Sequence, residues 1–308
     1  MKIFNHISEC KNLKNPVLTL GMFDGIHIGH QAIIRQLNEI AEKENGESVL
    51  LTFEPHPRVV LGKAADDLQL LTTLNEKIEL LEKSGLENLI LHPFTKEFSE
   101  LCAEDFVEEL LVNEIGIHTI VIGYDHHFGK NRQGNFEQLN EFSKKYNFQV
   151  VKIEEVKSDG NHISSTQIRN ALIQGNVEFA NEGLGRNYSL TGKVIHGDKL
   201  GRTLGFPTAN LETEQFKLIP GNGVYIVKAF LKDEVFKGLL SIGTRPTVTN
   251  SNEKRAEVYL MDFDREIYGE TLKIEVLHKI RDDQKFDSLQ DLVKQMNLDK
   301  NFAEQYQI

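Results

Sequence analysis

The chain has 308 residues, 40% of them hydrophobic and 26% charged, with a formal net charge of −11; this is a globular composition with enough apolar residues for two cores of roughly 150 residues each. The acid is concentrated at one end: residues 1–185 carry 17 Lys+Arg against 28 Asp+Glu, whereas residues 186–308 carry 18 of each, so a broad cationic surface for nucleic acid is not expected. No apolar run reaches the ~18 residues of a membrane span, MKIFNHISECKNLK is too polar for a signal peptide, and Cys10 and Cys102 are too far apart to suggest a disulfide framework or thiolate zinc site; the expectation is a cytoplasmic protein with neither membrane nor nucleic-acid partners.

From the N-terminus, short apolar runs alternate with helical patterns. Strands are predicted at residues 17–21, 48–53, 88–91, 118–123 and 148–153. TLNEKIELLEKSG and AEDFVEELLVNEIG have helical spacing and close on glycine, as a C-cap does. This alternation predicts an α/β domain built on a doubly wound parallel sheet. From Tyr188 the rhythm changes: GKVIH, GVYIVKAFL, VFKGLLSIG, RAEVYLMDF and LKIEVLHKI are closely spaced and strand-like. The next helical pattern is DSLQDLVKQM, with Leu289, Leu292, Val293 and Met296 on one face. A small β-barrel with a trailing helix is predicted, and the expected domains are residues 1–185 and 186–308.

Within the first half, GMFDGIHIGH (residues 21–30) lies between PVLTL and a stretch with Ile33, Ile34, Leu37, Ile40 and Ala41 at helical spacing. It reads as a strand-to-helix turn with His27 and His30 at the helix N-terminus. Backbone N–H groups and the positive dipole end suit phosphate there, and two imidazoles add donors where charge develops on a phosphorus-bound oxygen. One histidine near a helix start is most often a surface or capping residue; the pair within G-x-F-D-G-x-H-x-G-H is far more specific. TFEPHP (52–57) and GYDHHFG (123–129) follow the second and fourth predicted strands, where open α/β sheets bind ligands. HISSTQIR (162–169) sets Ser164, Ser165 and Thr166 ahead of Arg169, either to cap a helix or to clamp the outer phosphates of a nucleotide. GYDHHFGK is not a P-loop, having five residues between its glycines instead of four and Asn131 after the lysine. The adjacent His126 and His127 diverge and have no further zinc ligands at a suggestive spacing.

In the second half, GKVIHGDKLGRTLGFPTANL (192–211) interleaves Gly197, Gly201 and Gly205 with the cations Lys199 and Arg202. Thr208 and Asn210, two apart on an extended segment, share a face. As hard oxygen donors they suit Mg²⁺ carrying ATP phosphates, against the alternative that PTAN is ordinary turn composition.

The turn G-x-F-D-G-x-H-x-G-H resembles the HIGH-type nucleotidyltransferase superfamily, and its longer form resembles the adenylylating module of bacterial bifunctional riboflavin kinase/FAD synthetases. GKV-x-x-G-D-x-x-G-R-x-x-G-F-P-T-A-N resembles the riboflavin kinase signature of the same family, followed in order by GVY, IGTRPT and RDDQKF. The resemblance covers roughly residues 14–305 and implies a HIGH-type nucleotidyltransferase domain followed by a riboflavin kinase barrel. It implies that Gly21, Phe23, Gly25, Gly29, Ser164, Ser165, Thr166 and Arg169 bind ATP in the first module, with His27 and His30 stabilising the transition state at the α-phosphate. Pro55, His56, Pro57, Tyr124, Asp125 and Phe128 would line the flavin pocket. In the second module Gly197, Lys199, Gly201, Thr208 and Asn210 would bind ATP and, through Thr208 and Asn210, Mg²⁺. Glu257 would be the catalytic carboxylate, and Arg281 would belong to the flavin side. The sequence departs from the family pattern at Ser241, Tyr259 and Asp283, where Asn, His and Glu are usual. The implied chemistry is ATP-dependent conversion of riboflavin to FMN and of FMN to FAD, with Mg²⁺ as cofactor. Two rivals compete. A flavin-binding regulator or single-activity enzyme would have lost one of the reactions, and a synthetase-like enzyme would carry a KMSKS-type loop that is absent here.

Overall fold

The computed structural model describes residues 1–62, 68–123, 127–153, 157–158, 161–197, 200–244 and 254–307. Two compact units are distinguished: Met1–Leu68 with Leu74–Ile163, and Gln69–Thr73 with Ser164–Ile308.

In the first unit six strands form a parallel sheet: β1 (Lys2–Phe4), β2 (Val17–Leu20), β3 (Ser48–Glu54), β4 (Asn88–Pro93), β5 (Thr119–Gly123) and β6 (Gln149–Ile153), in the order β1-β4-β3-β2-β5-β6. Five of these strands match the predicted runs to within two residues at each end. The short edge strand β1 has no extended apolar run to announce it, and only its parallel pairing with β4 identifies it. The central strands are apolar on both faces because both are covered. Leu18, Leu20, Leu51, Ile120 and Ile122 join one cluster with Phe106, Leu111 and Phe128. Val17, Leu50, Leu89 and Val121 join another with Ile34, Leu37 and Ala41 of α1 (Ile28–Lys43) and Leu81 of α2 (Leu74–Lys83). Residues that alternate along a strand thus feed opposite layers, which is the doubly wound arrangement. AEDFVEELLVNEIG is helical, but Phe106–Ile115 winds with π pitch before stopping at the left-handed Gly116 (φ 68°).

The second unit is a closed antiparallel barrel of six strands: β9 (Tyr188–Ile195), β10 (Thr208–Thr213), β11 (Gly223–Leu231), β12 (Glu234–Thr244), β13 (Lys254–Leu260) and β14 (Thr271–Arg281). Between β6 and β9, among the described residues, lie the two-stranded ribbon of β7 (Lys157–Ser158) and β8 (Asn161–His162) and the helices Ser165–Gln174 and Val177–Leu184. The barrel is closed by pairing of β14 with β9. On β11, Tyr225, Val227 and Ala229 are fully buried. The alternate residues Val224 and Ile226 form a separate cluster with Leu239, Met261 and Ala303, the last on the trailing helix Leu289–Gln305. That helix begins at the N-cap Ser288, whose hydroxyl accepts the Asp291 N–H.

The compact second unit starts at Ser164, earlier than the boundary expected from the change in rhythm. The helices Ser165–Gln174 and Val177–Leu184 are helical by pattern but bond to the barrel: Gly221 N–H donates to the Leu172 carbonyl at 2.8 Å, Asn181 Nδ2 to the Val276 carbonyl at 2.9 Å, and Tyr188 N–H to Asn181 Oδ1 at 2.7 Å. The unit also includes Gln69–Thr73, where Leu70 N–H donates to the Phe216 carbonyl at 2.6 Å and Leu218 N–H donates back to the Leu70 carbonyl at 2.9 Å.

Candidate active sites

The turn after β2 bends so sharply that two non-glycine residues take left-handed conformations, Phe23 at φ 46° and Ile26 at φ 40°. Such backbone costs on the order of 1–3 kcal/mol per residue and persists only where packing and hydrogen bonds over-determine it. Here both side chains are core residues, 4% and 2% exposed. Gly25 at φ 81° takes the same region without a Cβ penalty. Gly21 opens the turn, and its N–H donates to the Leu51 carbonyl at 3.0 Å.

The bend delivers His27 as the N-cap of α1, with Nδ1 accepting the His30 N–H at 3.4 Å. Gly29, in the first helical turn, leaves room for the His27 ring, which a Cβ there would crowd at 3.1 Å. The two imidazoles stack at 3.7 Å between centroids, and the Phe23 ring lies 4.6 Å from that of His30. His30 Nδ1 is buried and has no hydrogen-bond partner among the described residues. Burial lowers the His30 pKa well below 6.5, and the charges of His27 and Lys77 push it the same way. A neutral imidazole with an unmet ring nitrogen at a helix N-terminus is a candidate to bond a ligand, since buried polar groups are otherwise almost always paired.

The other residues expected at this site stand as follows. Pro55, His56 and Pro57 sit at the end of β3, where His56 caps the short helix Pro57–Val60 by accepting the Arg58 N–H at 3.1 Å. Phe128 is only 6% exposed; it packs against Phe106 at 5.9 Å and pairs its backbone with Gly134, so its place is in the core. Tyr124 and Asp125 lie outside the described residues. Ser164, Ser165, Thr166 and Arg169 belong to the second unit. Ser164 forms a capping box with Gln167, the helix-capping alternative; Ser165 and Thr166 occupy the first turn, and Arg169 Nε donates to the Gln69 carbonyl at 2.7 Å.

On the barrel, β10 and β13 bring three oxygen-bearing side chains to one face. Asn210 is directly opposite Glu257, and Thr208 opposite Tyr259. The neighbours Ala209, Leu211, Ala256 and Val258 turn into the core, so Thr208, Asn210 and Glu257 face out together. Thr208 Oγ1 donates to Glu257 Oε2 at 3.3 Å. Ser241 faces Glu257 from β12, extending the row across three strands. Gly197 lies against the Asn210 carboxamide so closely that any Cβ would collide with it, and Gly201 packs against the Phe206 carbonyl. Lys199 lies outside the described residues.

Beside Thr208 opens a cleft of about 420 Å³ lined by Arg202, Pro207, Asp264, Arg265, Ile267 and Tyr268 among others. The loop 262–270 was not singled out by sequence reasoning. Its signal was present in DREIYG, a cluster of charge and one aromatic in the turn between two strands. The Arg281 guanidinium grips Asp299 of the trailing helix through Nε and Nη2, at 2.8–3.1 Å. Among the described residues no group of three or more His, Cys, Asp or Glu is placed to hold a metal. The hydroxyl and amide oxygens of Thr208 and Asn210 are hard donors that fit Mg²⁺ with water completing its shell.

The model of the FAD synthetase family matches residues 9–167 and that of riboflavin kinase residues 184–307. A protein of Listeria monocytogenes, named bifunctional riboflavin kinase/FMN adenylyltransferase, is 40% identical over 93% of this chain and 90% of its own. One of Haemophilus influenzae with the same name is 41% identical over 96% and 95%. A crystal structure from Streptococcus pneumoniae, described as a macrolide-efflux protein, superposes with a TM-score of 0.90 at 32% identity over 99% of both chains. Among the described residues of the present chain no helix is long and apolar enough to cross a membrane.

Proposed function

Since the chain belongs to the bifunctional riboflavin kinase/FMN adenylyltransferase family, we propose that residues 186–308 phosphorylate riboflavin and that residues 1–185 adenylylate the resulting FMN. The observation that carries this division is the placement of the two constellations in different compact units, His27 and His30 in the first, Thr208, Asn210 and Glu257 in the second.

In the kinase reaction Glu257 accepts the proton of the ribityl 5′-hydroxyl as its oxygen attacks the γ-phosphorus of ATP, giving FMN and ADP. The hydrogen bond from Thr208 orients that carboxylate. Thr208 and Asn210 would hold Mg²⁺, which when bound neutralises charge on the phosphates. The cleft beside Thr208 accommodates the base and ribose of the nucleotide, with Arg202 and Arg265 at its wall.

In the adenylyl reaction an FMN phosphate oxygen attacks the α-phosphorus and pyrophosphate leaves. His30, neutral and carrying its proton on Nδ1, donates to the oxygen on which charge grows, and His27 is held against it by the stack and the cap. Fixed donors of this kind act where charge develops in the transition state. Attack at γ and attack at α need different in-line geometries around one triphosphate, and two sites satisfy both where one does not.

The test is chromatography of products from purified protein given ATP and Mg²⁺ with either riboflavin or FMN. FAD from both starting points is expected. FMN without FAD would overturn the role given to the 21–30 turn, and unconverted riboflavin would overturn that given to Glu257.

A further inference from the structure

Lysine is almost never enclosed by protein unless it has a partner. Lys77 is nevertheless only 6% exposed, on the face of α2 that also carries Leu74 and Leu81. Its ammonium donates to the main-chain carbonyl of Met22 at 2.8 Å, 55 positions away in sequence. That carbonyl immediately precedes Phe23, the first left-handed residue of the 21–30 turn. The second, Ile26, is treated in the same way, its carbonyl accepting Gln31 Nε2 at 2.9 Å. Both strained residues are therefore secured by a side-chain bond to an adjoining carbonyl, and one of the two is charged. Phe23 in turn carries the face against which the His30 ring lies.

We propose that Lys77 is a positioning residue for adenylyl transfer, closing the 21–30 turn so that His30 meets the nucleotide in a fixed orientation. The proposal rests on the reading of His27 and His30 as the adenylyl-transfer donors.

The charges around the ammonium are arranged for this role. The carboxylates of Asp24, itself 7% exposed, and Glu54 act on Lys77 from the turn and from the end of β3. His30 faces it from the start of α1, and the carboxylate-bearing Glu76 is its buried neighbour on α2. Burial lowers the Lys77 pKa from its ordinary value, and the two carboxylates oppose that effect. A cation held there also disfavours a second positive charge on His30.

The experiment measures FMN-to-FAD conversion by the full chain with Lys77→Met, Lys77→Gln and Lys77→Arg, separating kcat from KM across the acid and neutral range. Lys77→Met is expected to lower kcat by about a hundredfold, the usual consequence of a misplacement near 1 Å, with little change in KM for ATP. Its acidic limb should move to higher pH, because His30 protonates more readily without the neighbouring charge. Lys77→Arg should restore most of the rate. Riboflavin phosphorylation by the same variants should match the wild type and reports that the barrel unit is intact. Should Lys77→Met fail to fold, Lys77→Gln carries the same readouts. A wild-type kcat and acidic limb in the neutral variants would overturn the proposal, as would an equal loss in Lys77→Arg and Lys77→Met. A wild-type chain that makes no FAD from FMN would instead overturn the underlying reading of the histidines, and the proposal with it.

Discussion

The His30 ring lies between those of His27 and Phe23, and among the described residues its Nδ1 has no hydrogen-bond partner. Removing that ring should act on the transition state more than on binding. His30→Ala is expected to lower kcat for FAD formation by about a hundredfold or more with KM for ATP nearly unchanged; an effect confined to KM would make the residue a binding group. The protonation state fixes a pH signature as well. A histidine whose pKa is lowered well below 6.5 stays neutral at pH values where a free one is protonated. The adenylyl-transfer rate of the wild type should therefore hold level as pH falls through 6.5 and decline only below it, which a kcat–pH profile reads directly. Much of this was legible in the sequence, because GMFDGIHIGH carries its chemistry in residue types at fixed spacing. Lys77 was not. It lies within an ordinary-looking helical pattern, and its signal is a charged residue three positions after Leu74 and four before Leu81, on the stripe that should be apolar.

The trailing helix shows the same limit at the level of elements. DSLQDLVKQM announces a helix, and its Ser-x-x-Asp start is visible as a cap. Its attachment to the barrel depends on a long-range pairing that local patterns do not encode: Arg281 at the end of β14 and Asp299 on the helix. Asp299 is 3% and Arg281 18% exposed, and Gln295 adds a bond to Asp299 Oδ1 at 2.9 Å. Arg281, which the resemblance places on the flavin side, is thus also the residue whose guanidinium fastens the helix. Breaking a buried pair leaves its other member uncompensated, at about 3–5 kcal/mol. Asp299→Ala should accordingly lower the unfolding free energy of the barrel unit by about that amount, seen as a fall in its urea midpoint, and leave the transition of the parallel-sheet unit in place. An unmoved midpoint would show the pair to be dispensable. The same reasoning explains the boundary difference at Ser164. Helical periodicity assigns a segment its conformation but not its packing partner, and the helices 165–174 and 177–184 are committed to the barrel by bonds to Gly221, Val276 and Tyr188.

At the scale of the whole molecule the two signatures occur in sequence in one chain but fold as separate compact units, each with its own core. On the proposed roles the proton acceptor Glu257 and the donor histidines belong to different units. FMN released by one copy is then a substrate for the adenylyl site of any other. Glu257→Ala should lose FMN formation and retain FMN-to-FAD conversion, while His30→Ala should do the reverse. Mixed in solution, these two variants should convert riboflavin to FAD although neither does so alone, with a lag while free FMN accumulates. Chromatography of the mixture over time measures both the FAD and the transient FMN. Variants that keep their single activities but make no FAD together would show that FMN does not leave the chain that forms it, and the two sites would then have to be treated as one coupled device.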